Sequence, residues 1–211
     1  MRQDADQHPD GRIKGDTMKV YFIRHGQSEG NIGDRHCSWS QVSLTEKGKL
    51  DAAMAGRLLK GISFDKVYTS DLIRTIQTKE IALPDLEHEA LSMLREIGVG
   101  DLLGRKISDC IEEYGQAYLD NRRRTDYSAY GGESREDLHK RIRSFLSMLE
   151  QQDYENVAVF CHAGYISCII SAISDYEYES MQLTCQNGSV SVFEFTDGRW
   201  RMVTWNCVEF A

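Results

Sequence analysis

Arg24-His25-Gly26 closes the first strand-like run of the chain, Met18-Lys-Val-Tyr-Phe-Ile, and His162 closes another, Asn156-Val-Ala-Val-Phe-Cys. Two histidines at the mouths of two buried strands, one beside an arginine, form an apparatus for attack on a phosphoryl group. A neutral imidazole is a competent nucleophile near neutral pH, and a protonated one stabilises anionic charge. The neighbouring guanidinium holds phosphate oxygens in bidentate fashion. Ligands of open α/β sheets bind outside the carboxyl ends of the strands. That rule gathers Arg24, His25, Ser70 with nearby Arg74, and His162 at one edge, with Glu96 just after an edge strand.

The elements that would position these groups alternate between strand and helix, the pattern of an α/β domain with a mostly parallel, buried sheet. Residues 18–24 read as an interior strand, apolar on both faces. Leu44 to Lys60 reads as a helix that Thr45 opens, its face marked by Leu50, Ala53, Met54 and Leu58. Residues 64–70 form the second strand, and Asp71 is expected to cap a helix from Leu72 to Ile81 that Pro84 stops. His88 to Leu94 reads as a short strand and Arg105 to Tyr130 as a helical excursion across the top of the sheet. Gly131-Gly-Glu-Ser134 leads into an amphipathic helix with Leu138, Ile142, Phe145, Leu146 and Leu149 on one face. A strand over 156–161, a helix from Tyr165 to Ile173 and a hairpin turning at Asp197-Gly198 complete the series.

Composition narrows the function classes. With 211 residues, the chain suffices for one domain with a substantial core. A net charge of −8 lacks the basic excess of nucleic-acid binders, although a few convergent cations still hold a phosphate. No apolar run is long enough to cross a bilayer, so a membrane role is not expected. The six cysteines form no Cys-x-x-Cys pair; Cys161, Cys168 and Cys207 read as small core hydrophobes, and a reducing cytoplasm is the expected compartment. Residues 1–17 read as a disordered leader, native or artificially appended, and 18–211 as a single domain.

The ordered motifs then resemble a family. Phe22-Ile-Arg-His-Gly-Gln-Ser28 with Asn31, Ser43-Leu-Thr-Glu-Lys-Gly48, Tyr68-Thr-Ser-Asp-Leu-Ile-Arg74, Leu94-Arg-Glu96 with Gly100, Gly132-Glu-Ser134 and Cys161-His-Ala-Gly164 follow in sequence. Together they resemble the histidine phosphatase superfamily, which includes cofactor-dependent phosphoglycerate mutases. The resemblance implies a phosphoglycerate mutase-like three-layer α/β/α sandwich with a mostly parallel central sheet. It implies that His25 is the nucleophile that becomes transiently phosphorylated. Arg24, Arg74 and His162 would surround the phosphoryl group, with Asn31 donating a further hydrogen bond and Ala163 beside the second histidine. Glu96 would protonate the leaving oxygen and then activate water, because like charge from a bound phosphate favours a protonated carboxyl. Ser28 is expected either to contact phosphate or to cap the backbone after the strand. With the cationic side chains supplying the charge, neither a metal nor a cofactor is required.

Several details bear on the branch. Mutases typically carry Glu-Arg-His-Tyr-Gly around the acid and Gly-Asn after the second histidine; here Arg95-Glu-Ile-Gly-Val-Gly100 and Ala163-Gly-Tyr165 stand instead. These differences favour a phosphatase acting on a small phosphomonoester. Against the phosphatase pattern, Leu103 replaces a glutamate and Gln41 an aspartate. A mutase and a silent phosphate-binding or partner-docking protein are the alternatives. Trp39, Tyr114, Tyr118 and Tyr130 are either pocket aromatics or ordinary ones, and Asn121-Arg-Arg-Arg124 either reaches a second anionic group or is an exposed charge cluster. His36, His88 and His139 have no comparable motif, and His139 is expected on a solvated helix face. The oligomeric state is not readable from these patterns.

Overall fold

The computed structural model describes residues 17–174 and 183–209. Six strands form one sheet in the order β3-β2-β4-β1-β5-β6. They span β1 Thr17–Arg24, β2 Lys66–Ser70, β3 Glu89–Leu91, β4 Asn156–Cys161, β5 Val190–Thr196 and β6 Arg199–Cys207. β3, β2, β4 and β1 run parallel, while β5 is antiparallel to both β1 and β6, so the sheet is mixed and mostly parallel. The helices are α1 Glu46–Leu58, α2 Ile73–Ala82, α3 Ile107–Arg124, α4 Arg135–Glu150 and α5 Ala163–Ile173. None of those described is long and apolar enough to cross a membrane.

The period-two alternation of a strand divides the core between two faces. Val20 and Phe22 of β1 and Val157, Val159 and Cys161 of β4 point to the side covered by α4 and α5, where Leu138, Ile142, Phe145, Ile166 and Ile169 are buried. Ile23, Ala158, Phe160 and Val67 point to the other side, against Ala55 and Leu58 of α1 and Ala82 of α2. A sheet covered on both faces must be apolar on both, which is why β1 and β4 read as continuous apolar runs. The three layers anticipated from the motifs are present.

Local chemistry accounts for several element ends. The Thr45 side chain accepts from Gly48 N at 3.0 Å and opens α1; Ser134 and Asp137 form a reciprocal capping box at α4. Asp197 and Gly198 both take positive φ, 51° and 71°, giving the two-residue turn that joins β5 to β6.

Other expectations are corrected. Leu50 is 68% exposed, and α1 instead buries Gly48, Ala52, Ala55 and Leu58, so its apolar face is rotated toward smaller residues that approach α2 closely. Asp71 does not cap α2: it makes a bidentate pair with Arg95, and Gln41 Oε1 accepts from Ile73 N at 2.9 Å instead. α3 is kinked at Gly115 (φ 56°), a conformation that costs glycine little. His139 is buried, its Nε2 2.9 Å from Ser171 Oγ, because α5 packs over that face. Cys161 and Cys168 are buried as expected, while Cys207 is only half-buried. Of the expected leader, residues 1–16 lie outside the described residues, and Thr17 belongs to β1, opposite Thr196.

Candidate active site

Register brings the two histidines together. Arg24 pairs with Cys161 across the parallel β1–β4 ladder, so His25 and His162 leave the sheet side by side. Their ring centroids lie 5.2 Å apart. β2, the next strand over, ends at Ser70, and α2 turns Arg74 back over the same edge. Arg74 Nε donates to His25 Nε2 at 3.2 Å, and its NH2 donates to His162 Nδ1 at 3.2 Å. Two more N–H groups rest on Ser40 O at 2.9 Å and Ser38 O at 2.7 Å, so four of the five are placed by these bonds.

This pattern assigns the tautomers. His25 Nδ1 lies 2.7 Å from Gly26 O and therefore carries the proton, leaving Nε2 with the lone pair a nucleophile needs. His162 accepts at Nδ1, so its proton sits on Nε2, a fully buried donor with no partner among the described residues. Burial first, then Arg74 and other neighbouring cations, hold both imidazoles well below the ordinary 6.5. His162 is thus held toward its neutral form, an N–H donor with the cations Arg74 and Arg24 nearby.

Glu96 follows the turn Ser92–Leu94, and its carboxylate docks on the first turn of α5. Oε2 accepts from Gly164 N at 3.1 Å and Oε1 from Ile97 N at 3.0 Å. A Cβ on Gly164 would stand 2.2 Å from Glu96 Oε1, so only glycine admits this approach. A Gly164→Ala variant is expected to displace the carboxylate and, with Glu96 in the acid–base role the resemblance implies, to lose about 10²-fold in kcat, as misplacement of a catalytic group by about 1 Å does. Turnover measured beside the melting temperature separates that loss from unfolding.

The cleft above these groups has a volume of about 340 Å³ and is lined by Arg24, His25, Ser28, Asn31, Arg74 and Glu96. Asn31 Oδ1 accepts from Ser28 N at 2.9 Å, Ser28 Oγ at 3.1 Å and Asn187 Nδ2 at 3.3 Å, which leaves the Asn31 amide nitrogen as the outward donor. Ser28, 1% exposed, thus spends its hydroxyl on orienting Asn31. Ala163 does not line the cleft; its neighbour Gly164 does.

Arg35, His36, Cys37, Arg122 and Tyr127 also line the cleft. Arg122 resolves the arginine run: it faces the cleft, while Arg123 pairs with Asp120 at 3.3 Å on the outside. The four aromatics considered from sequence are not in the wall. Tyr118 is fully buried and bonded to His36 Nε2 at 2.7 Å, the Tyr114 and Tyr130 rings meet at a tilt of 54° with centroids 5.1 Å apart, and Trp39 Nε1 donates to Glu96 O at 2.7 Å. Arg35 and His36 lie on the loop that follows the first motif, a sequence signal within reach. Tyr127 carries no such signal, since only the path of the chain after α3 brings it back. Asn187 Nδ2 also braces His25 O at 3.0 Å, a role its sequence context does not announce.

The depressed histidines have a stability consequence. Between their low folded pKa values and the ordinary 6.5, each is protonated in the unfolded chain and neutral in the native one. Stability therefore falls as pH drops below about 6.5, by up to about 1.4 kcal/mol per pH unit for each histidine, and these two groups add no slope above it. His36 and His139, also lowered by burial, act with the same sign. Urea unfolding across this interval, with NMR titration of the ring protons, measures the effect; native imidazoles titrating at ordinary values would contradict it.

The family model described as histidine phosphatase superfamily (branch 1) matches residues 20–208. A 2,3-bisphosphoglycerate-dependent phosphoglycerate mutase of Cytophaga hutchinsonii is 32% identical over 190 residues, covering 84% of this chain and 87% of its own. One from Bartonella bacilliformis is 31% identical over 188 residues, covering 83% and 91%. Among solved structures, the alpha-ribazole phosphatase from Shigella flexneri superposes with a TM-score of 0.80 at 25% identity, over 92% of this chain and 98% of that one. A mycobacterial glucosyl-3-phosphoglycerate phosphatase shares the fold, with a TM-score of 0.82 at 24% identity over 90% and 99% of the two chains.

Proposed function

Because the chain belongs to the histidine phosphatase superfamily (branch 1), we propose that it is a metal-independent phosphomonoesterase acting on small phosphorylated metabolites through a phosphohistidine at His25. The observation that carries this reading is the unprotonated Nε2 of His25, its tautomer fixed by the Nδ1 bond to Gly26 O, in a cleft that Arg24, Arg74 and Glu96 also line. Arg74 Nε–H, which bonds that nitrogen at 3.2 Å, turns to a phosphoryl oxygen as His25 attacks. In the first step Nε2 attacks phosphorus while Glu96 gives its proton to the departing oxygen, and the alcohol leaves. In the second, Glu96 takes a proton from water, whose oxygen attacks phosphorus; the P–N bond breaks and inorganic phosphate is released. Arg24, Arg74, the Asn31 amide and His162 Nε2–H hold the equatorial oxygens, where phosphoryl transfer gains most from fixed charge and donors.

The relatives named as mutases support a second reading, transfer to another substrate hydroxyl. The Ile97-Gly98 and Ala163-Gly164-Tyr165 sequences beside Glu96 and His162 favour water as the acceptor. Phosphorus NMR of the enzyme with 3-phosphoglycerate decides between them: inorganic phosphate supports the hydrolase, and an isomerised phosphoglycerate supports the mutase. Absence of any acid-labile phosphoenzyme would instead identify a silent binding protein. Turnover of p-nitrophenyl phosphate is expected to persist in excess chelator, since the charge on the phosphoryl oxygens is met by arginine; loss of activity restored by a divalent ion would refute the metal-free step. A kinetic panel of phosphomonoesters then identifies the preferred leaving group.

A further inference from the structure

Glu133 belongs to a motif shared with the family, yet it touches neither histidine nor arginine of the cleft floor. It sits just before Ser134, the cap of α4, and receives Arg141 from two turns further along that helix. The pair is bidentate, Arg141 Nε to Oε1 at 2.7 Å and NH2 to Oε2 at 2.7 Å, with the side chains only 20% and 17% exposed. Both partners then reach into the segment that carries Glu96. Arg141 NH1 donates to Met93 O at 2.7 Å and Arg95 O at 3.1 Å, and NH2 approaches Glu96 O at 3.4 Å. Glu133 Oε2 accepts from Gly98 N at 2.7 Å, and its own N donates to Gly98 O at 2.8 Å.

We propose that the Glu133–Arg141 pair is a positioning device for Glu96, transferring the rigidity of α4 to the acid–base carboxyl. The inference rests on the assignment of Glu96 made above. Arg141 is flanked on α4 by the fully buried Leu138, Ile142 and Phe145, so its backbone is anchored in the core. The segment it grips is short and irregular, with no sheet ladder beyond Leu91 to hold it. Planar guanidinium forks suit this task, because one side chain fixes several carbonyls at once. The carboxylate of Glu133 neutralises the arginine, so the grip adds no net charge near Glu96. From there the Glu96 side chain completes its orientation on Gly164 N and Ile97 N.

The test compares an alkyl phosphate, whose alkoxide needs a proton to leave, with p-nitrophenyl phosphate, whose phenolate does not. The measured quantity for every variant is kcat/KM, which reports only the steps through departure of the alcohol and not the shared hydrolysis of the phosphohistidine. Glu96→Gln is expected to lower it by about 10²-fold or more on glycerol phosphate and far less on p-nitrophenyl phosphate. Arg141→Ala and Glu133→Gln should reproduce that selectivity, with a loss on glycerol phosphate about 10-fold greater than on p-nitrophenyl phosphate. Adding Arg141→Ala to Glu96→Gln should cost less than about 2-fold more on glycerol phosphate, since a residue acting through Glu96 has nothing left to act on. Equal losses on both substrates, or multiplicative losses in the double variant, would overturn the positioning role while leaving Glu96 in place. A Glu96→Gln enzyme without leaving-group selectivity would overturn both assignments. If Arg141→Ala does not fold, Glu133→Gln and Arg141→Lys carry the same comparison.

Discussion

A His25→Ala enzyme is expected to lose hydrolysis of p-nitrophenyl phosphate by on the order of 10⁴- to 10⁶-fold, the range seen when a covalent nucleophile is removed. No neighbouring group substitutes. His162 carries its proton on Nε2 and, unlike His25, is not part of the cleft lining, so its unprotonated Nδ1 is not presented to phosphorus. The phosphoenzyme trapped by alkaline denaturing quench in the parent, and lost on acid treatment, should vanish in the variant, while phosphate binding persists because Arg24 and Arg74 remain. The substitution opens a small buried space, since His25 is 4% exposed, so the melting temperature belongs beside the kinetics. Turnover in the variant within about 10-fold of the parent would refute nucleophilic catalysis by this residue.

Arg74→Ala is expected to have the next largest effect, about 10³- to 10⁵-fold in kcat, comparable to removal of an arginine that stabilises phosphoryl-transfer charge. This side chain is 3% exposed and holds His25, His162, Ser38 O and Ser40 O at once. Its loss frees two carbonyls on the 38–40 loop, with a stability cost of about 1–3 kcal/mol for each that stays unsatisfied. It also removes a cation that depresses both imidazoles and admits water beside them, so both pKa values rise toward 6.5. Protonated His25 then accumulates at mildly acidic pH, and the variant's residual activity falls off at a higher pH than the parent's. Arg74→Lys should recover only part of the rate, because a point charge cannot fork between two histidines and two carbonyls. A kcat/KM profile with ring-proton titrations checks both the magnitude and the sign.

Legibility tracks how locally each feature is encoded. The doubly apolar β1 and β4 announce an interior parallel pair, and the structure has them adjacent with Arg24 opposite Cys161. Thr45 and Ser134 announce helix starts because a cap is a contact between near neighbours. His139 is misplaced by sequence because a polar residue on a charged helix gives no sign that another helix will cover it. Asp71 is misplaced for a related reason: a local cap competes with an ion pair to Arg95, 24 residues away. Tyr114, Tyr118, Tyr130 and the arginine run are undecided in sequence, since facing the cleft or the core depends on how α3, kinked at Gly115, lies across the sheet edge.

Arg24-His25 and His162 were determined by the chain itself, as chemistry placed at the ends of strands whose burial is written in their composition. Family membership follows from the same ordered motifs and is matched over residues 20–208. Tertiary structure alone decided the rest. It set which histidine nitrogen bears the proton, that His162 is a neutral donor, and that Glu96 rests on Gly164 N under the grip of Glu133 and Arg141. Apart from the His25–Gly26 bond and the Glu133–Arg141 pair, which are local, these are properties of hydrogen bonds between segments tens of residues apart, and of burial that only the closed sheet and its helices produce. A sequence specifies the groups that meet; their protonation and aim are set by what surrounds them once they have met.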